Sequence, residues 1–232
     1  MKLEFNPDAK RLYETGARDC VLFTKNALTA EHHGYAVGVA WNGFTGLTES
    51  PSGAEATALY SNDGKYLDLM SAEELGGTIT AYTYPDEYAA CDGSEEIAPG
   101  VVVSQQDRIP FALCYKTVVG NDVEKNKYGY KLHIIYGCMA SPSEKEFNSI
   151  NDSPEAVEFS WEFSTTPIEF KIGDKTYKSS KVELDSTKFK DEAAKAKLQK
   201  IIDAFYGTND TEPNLLYPDE IAKLCGNVNA EG

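Results

Sequence analysis

Histidine is scarce in this 232-residue chain, with only His32, His33 and His133. Cysteine occurs five times, at positions 20, 91, 114, 138 and 225, with no CxxC pair and no Cys near a His at zinc spacing. An odd count at wide spacing argues against a disulfide framework and for a reducing compartment. The adjacent His32 and His33 would point to opposite faces of a strand, and His133 lies alone in an apolar run. No phosphate loop, GxGxxG or GxSxG occurs. Glu73-Glu74 and Glu95-Glu96 are paired acids, but nothing fixes a second carboxylate at glycosidase distance. The expectation is therefore a protein that is not an enzyme and has no catalytic residues, no metal and no cofactor. No stretch reaches the roughly 18 apolar residues that suggest a membrane span, so no membrane association is expected. Met1–Pro7 lacks an apolar run, so a signal peptide is not expected either.

Basic residues are also in short supply: 22 Lys+Arg stand against 37 Asp+Glu, a net charge of −15. The excess is concentrated early, since residues 1–100 hold 16 acids and 6 bases. Such a surface repels nucleic-acid phosphates rather than gripping them. The ordinary use of this charge is solubility.

Aromatic residues are plentiful, with 14 Tyr and 10 Phe, and many sit in alternating runs that favour β structure. Strands are expected at Asp19–Lys25, Tyr35–Trp41, Gly77–Tyr84, Ile109–Val119, Tyr128–Cys138 and Lys175–Leu184. Glu55–Ser61 and Lys65–Met70 flank Asn62-Asp63-Gly64, a strong hairpin signal because the turn residues tolerate positive φ. Pro85–Ala90 reads as a helical turn. Ala156–Thr166 alternates cleanly: Phe159, Trp161 and Phe163 are candidate core residues, and Glu158, Ser160, Glu162 and Ser164 point the other way. Asn42–Gly53, rich in Gly, Ser, Thr and Pro, reads as an exposed loop or arm. In Asp191–Tyr206, Leu198, Ile201, Ile202 and Phe205 form one helical face, with Gly207 as a stop. Pro218–Cys225 reads as a second short helix. The expected class is mainly β (α+β), a sandwich or partly closed barrel. Its β domain spans 1–185, and a helical C-terminal extension follows over 186–232.

An ordered set of segments goes further. Ala58–Gly77 (ALYSNDGKYLDLMSAEELGG) leads into Thr78–Gly93 (TITAYTYPDEYAACDG), Ile97–Gly100 (IAPG), Gln105-Gln106 and Arg108. Tyr115–Asp122 (YKTVVGND), Tyr130–Gly137 (YKLHIIYG), Ser141–Ser143 (SPS) and Ile150–Pro154 (INDSP) follow. Phe159–Pro167 (FSWEFSTTP) and Tyr206–Glu220 (YGTNDTEPNLLYPDE) close the series. From about Val21 to Leu224 this string resembles the major tail proteins, or tail tube proteins, of long-tailed, non-contractile bacteriophages of Gram-positive bacteria. No single motif is specific; the ordered set is.

The resemblance implies a tail-tube fold, a β-sandwich or half-barrel with a flanking helix. It implies a structural virion protein, made in the bacterial host cytoplasm and assembled into the virion tail. Six copies would close a ring, and rings would stack head to tail into a tube for phage DNA. Partners would be further copies of the chain, the tape measure protein, the tail terminator and the distal tail protein. DNA would pass through without sequence-specific binding. An acidic bore repels the duplex from every side and keeps it mobile. Candidate lumen-facing acids are Glu158 and Glu162, then Glu55, Asp63, Asp68, Glu73 and Glu74. Phe44 and Leu47, in the 42–53 arm, are candidates for contact between rings. The alternative is a monomeric carbohydrate- or protein-binding β-sandwich of a virion or host surface, with the Tyr-rich stretch 82–88 as its groove.

Overall fold

A computed structural model describes residues 3–25, 32–147, 149 and 156–226. Strand makes up 51% and helix 15%, so the chain is mainly β. In chain order the strands are β1 (Leu12–Thr24), β2 (Val39–Ala40), β3 (Phe44–Gly53), β4 (Ala56–Ser61), β5 (Gly64–Met70), β6 (Glu73–Ala81), β7 (Ser94–Ala98) and β8 (Val101–Ser104). They continue with β9 (Phe111–Asn121), β10 (Lys125–Ala140), β11 (Phe159–Thr165), β12 (Ile168–Ile172), β13 (Lys175–Ser179) and β14 (Lys181–Asp185). Helices α1 (Glu192–Tyr206) and α2 (Pro218–Cys225) follow.

One large antiparallel sheet has the order β2-β1-β9-β10-β11-β6-β3, with β14 also paired to β10. β10 serves both halves. Its residues Lys131–Ile135 pair with β14, and Cys138–Ala140 pair with β11. The handover falls at Gly137, whose φ is 62° and whose missing Cβ would lie 2.3 Å from the Thr166 carbonyl oxygen. Only glycine fits both the left-handed backbone and that approach. Beyond the bend the sheet folds over, and β3 returns to lie near β1.

The two faces of β9 show how the halves enclose a core. Phe111, Leu113 and Tyr115 join Leu22, Trp41, Ile79, Tyr88, Trp161 and Phe163 in an inner cluster between the sheet halves. Ala112 and Cys114 face the other way, into a cluster with Phe23, Leu132, Ile134 and Tyr136. Leu198, Ile201 and Phe205 of α1 and Ile221 of α2 cover that outer face. Burial on both faces explains why β9 and the middle of β10 read as near-continuous apolar runs. Asp191 caps α1 by accepting a hydrogen bond from the Ala194 N–H at 2.7 Å, and Pro218 opens α2.

Several expectations need correction. Asn42–Gly53 is not a loop: Phe44–Gly53 is a full strand paired to β6 from Phe44↔Ala81 to Gly53↔Glu73. Its Pro51 sits on an edge strand, where a missing donor is tolerated. Tyr35–Trp41 is mostly irregular, with only a Lys25↔Tyr35 bridge and β2. Lys175–Leu184 is two strands broken at Ser180, which pair with different neighbours. The β7–β8 hairpin and β12 were not expected from the sequence. Strand β1 starts seven residues before Asp19. The β4–β5 turn is centred on Asn62 and Asp63, with φ of 50° and 63°, and Gly64 opens β5. The motif 150–154 lies outside the described residues.

Candidate functional site

Strand β6 pairs with β11 only from Gly76 to Ala81. Below Gly76 the β3–β6 ladder leaves the body as a two-stranded ribbon, and β4–β5 carries it on to the turn at Asn62-Asp63. The main contacts of β4 and β5 are with each other. Register puts Leu59 opposite Leu67 and Thr57 opposite Leu69, so the three leucines share one face. They are 40%, 39% and 55% exposed, and Tyr60, Tyr66 and Met70 are more exposed still. An isolated two-stranded ribbon is at best marginal in water, and a leucine face without cover marks an interaction surface.

Further apolar side chains are exposed at the opposite end of β6. Tyr82 and Phe147 are exposed there, and the Phe147 ring lies 6.2 Å from that of Phe159, the residue paired with Ala81. The six residues Gly76–Ala81 of β6 separate this end from the root of the ribbon by about 20 Å. In the stretch 82–88, Tyr82 and Tyr84 are exposed, with Tyr84 also packing against Tyr88, Phe159 and Trp161, whereas Tyr88 is fully buried.

The candidate acids separate into two groups. Glu55, Asp63, Asp68, Glu73 and Glu74 are exposed on the ribbon or its root, and Asp68 is paired with Lys65 at 2.7 Å. Glu158, just before β11, and Glu162, in its middle, are exposed, and Glu158 accepts a hydrogen bond from the Thr45 hydroxyl. Their partners across the sheet form a pattern. Glu162 lies beside Thr78 and Thr48, Ser160 beside Thr80, and Ser164 beside Gly76 and Ser50. Glu74 and Ser52 extend the same face. That side of β11–β6–β3 thus carries short hydroxyls and carboxylates, with no Lys or Arg from these three strands. The opposite side holds Trp161 and Ile79, fully buried, and Phe163, 4% exposed, while Phe159 is half-buried. Phe44 and Leu47 also pack partly buried against that inner core.

The fold assembles a charged belt that the sequence did not reveal. Glu14 of β1, Thr117 of β9, Lys131 and His133 of β10, and Lys181 and Glu183 of β14 meet on one sheet face. Lys131 bridges Glu14 at 2.9 Å and Glu183 at 3.0 Å. The Thr117 hydroxyl donates to Glu14 and so accepts from His133 Nε2–H at 2.8 Å, which places a ring proton on Nε2. Nδ1 of that ring is buried without a hydrogen-bond partner, 3.5 Å from Glu183. Burial and Lys181 lower the His133 pKa more than the surrounding carboxylates raise it. For Glu14, burial raises the pKa, but the hydrogen bonds and charges of Thr117, Lys131 and His133 outweigh it and hold the carboxyl below its usual range. Glu49 behaves in the same way: burial raises it, and Lys181 and Tyr115 bring it below the usual range.

Each of these groups binds its proton more weakly when folded than when unfolded, so stability falls as pH falls. The denaturant midpoint should decline first through the ordinary imidazole range and then through the carboxylate range. His133→Gln should remove the first decline and leave the second. A midpoint that stays flat from about pH 7 to about pH 5 in the parent chain would contradict this assignment.

Among the described residues, no three His, Cys, Asp or Glu side chains converge to hold a metal, and no helix is long and apolar enough to cross a membrane. No protein-family model and no curated protein matches the chain.

Proposed function

We propose that this chain is the subunit of a tail tube: a structural protein, not an enzyme, that assembles into stacked rings around a channel for phage DNA. The observation that carries the reading is the ribbon with its uncovered leucine face at one end of β6, set against exposed Tyr82 and Phe147 at the other. Unlike surfaces at opposite ends make a heterologous contact, which repeats head to tail and does not saturate in a dimer. Six copies per ring follow the resemblance in sequence, as do the tape measure, terminator and distal tail proteins as partners at the tube ends.

The face of β11–β6–β3 supports the channel. A DNA duplex meeting Glu158, Glu162, Glu74 and a set of hydroxyls finds no ammonium or guanidinium from these strands to hold its phosphates. We assign Glu158 and Glu162 to the bore, and Glu55, Asp63, Asp68 and Glu73 to the junction between rings. With the loop at 42–53 now a strand and Phe44 and Leu47 turned inward, the ring-to-ring role passes to β4–β5.

Negative-stain microscopy of the concentrated chain, alone and with tail initiation components, tests the reading. Hollow tubes are expected. A chain that stays monomeric under both conditions contradicts it.

A further inference from the structure

The ribbon leaves the body where the β6–β11 ladder ends at Gly76, and beyond that ladder few side-chain ties hold it. Among the described residues, Glu49 is the last of β3 whose side chain hydrogen-bonds to the body of the fold, and it stands opposite Gly77. Its carboxylate accepts from the Tyr115 hydroxyl at 2.7 Å and from Lys181 Nζ at 2.7 Å. Tyr115 belongs to β9 and Lys181 to β14, whereas β3 is hydrogen-bonded through its backbone only to β6. Glu49 therefore joins two parts of the sheet that share no ladder at this level. A second tie runs from the Thr165 hydroxyl to the Leu75 carbonyl at 2.7 Å. Beneath these ties lies a cleft of 360 Å³, lined by Glu49, Pro51, Glu73, Leu75, Lys178 and Lys181. The ribbon has space to swing into it.

The strand opposite the pin is unusually bare. Gly76 and Gly77 are adjacent, and a Cβ on Gly77 would lie 2.4 Å from the Thr48 carbonyl and 2.8 Å from the Phe163 ring. The backbone here presses onto the core, with no side chain of its own to resist bending.

We propose that Glu49, clamped between Lys181 and Tyr115, is a positioning residue that locks the direction of the β4–β5 arm, with Gly76-Gly77 as the pivot. This rests on the arm being the assembly element. Its effect on arm direction, however, is a property of the single chain. Release of the pin turns a fixed arm into a swinging one, and a swinging arm must lose that freedom at every docking event. The lock therefore pre-organises the subunit for assembly.

The test is pulsed electron spin resonance on dispersed chain, below any assembly concentration. Spin labels are placed at Asn62→Cys on the arm tip and Val123→Cys on the β9–β10 turn, with Cys225→Ser; the other four cysteines are buried. With Glu49 in place, one narrow distance distribution is expected. Glu49→Ala and Lys181→Met should each widen it by roughly twofold, and the double variant no further, because the two side chains act as one unit. Glu49→Gln, which keeps an acceptor for Tyr115, covers the case in which the alanine variant fails to fold. Lys178→Met, in the same cleft but paired with Glu169 at 3.3 Å, should leave the distribution unchanged. Amide exchange in β9 and β10 should be unaltered in all variants. An unchanged width on loss of Glu49, or faster exchange throughout the sheet, overturns the lock. Tube formation plays no part in the readout, so failure here and failure of the tail-tube reading are separable.

Discussion

Replacing Leu59, Leu67 and Leu69 together by serine should abolish self-assembly while leaving the single chain as stable as before. The three side chains share one face of β4–β5, touch mainly their own hairpin, and are partly open to water in the isolated chain. Exposed positions away from packed features change folding stability by about 0.5 kcal/mol or less each. Burial against a neighbouring copy is another matter. A fully buried leucine contributes about 1.5–3 kcal/mol, and even half of that, summed over three, amounts to several kcal/mol per contact. Every 1.4 kcal/mol or so is a factor of ten in association, so the concentration needed for assembly should rise by at least about fortyfold. Sedimentation of a concentration series reads this, and the denaturant midpoint of the dispersed chain is the control. Assembly at unchanged concentration would remove the leucine face from the mechanism. Reversing single acids on the arm, such as Asp63, should have far smaller effects, since they are exposed and screened by salt.

The second large effect concerns the core. Trp161→Ala should destabilise the chain by about 3–5 kcal/mol. Trp161 is completely buried, with its ring 5.3 Å from Tyr88, 5.4 Å from Tyr84, 5.6 Å from Phe159 and 5.7 Å from Trp41. These edge-on and tilted contacts add to the area the indole removes from water. A typical domain is stable by only about 5–15 kcal/mol, so the loss would be a large share of the total. Trp161→Phe should cost much less. The indole Nε1 is buried without an acceptor, and removing it relieves an unmet donor while keeping most of the packing. Urea unfolding of the three forms reads the difference. Equal costs for the two substitutions would mean that the packing nest is not what holds this end of the fold.

Much of this core was legible in the sequence, because it depends on local alternation. Phe159, Trp161 and Phe163 fall on one side of a single short strand, and no knowledge of the neighbours is needed to see it. The turn at Asn62-Asp63-Gly64 and the Asp191-capped helix are equally local. Strand β3 was illegible for the opposite reason. Its Gly, Ser and Pro residues dilute the β signature of Phe44, Thr45 and Thr48, and the strand exists because the backbone of β6 offers it a ladder. The same holds for the first half of β1, where Glu14 sits among exposed residues and is held by pairing with β9. The belt around His133 and the Glu49 lock draw on strands far apart in the chain, so no spacing rule points to them. The leucines of the arm were visible as a hairpin. That they lack a cover became apparent only once the rest of the sheet was in place.

The most direct test of the account is an electron cryomicroscopy reconstruction of the assembled chain. The account predicts stacked sixfold rings around an open bore, with the Glu158–Ser164 side of β11 lining it and each β4–β5 arm seated on a subunit of the next ring. A bore walled by the lysines of α1, or a filament with no bore, would contradict it.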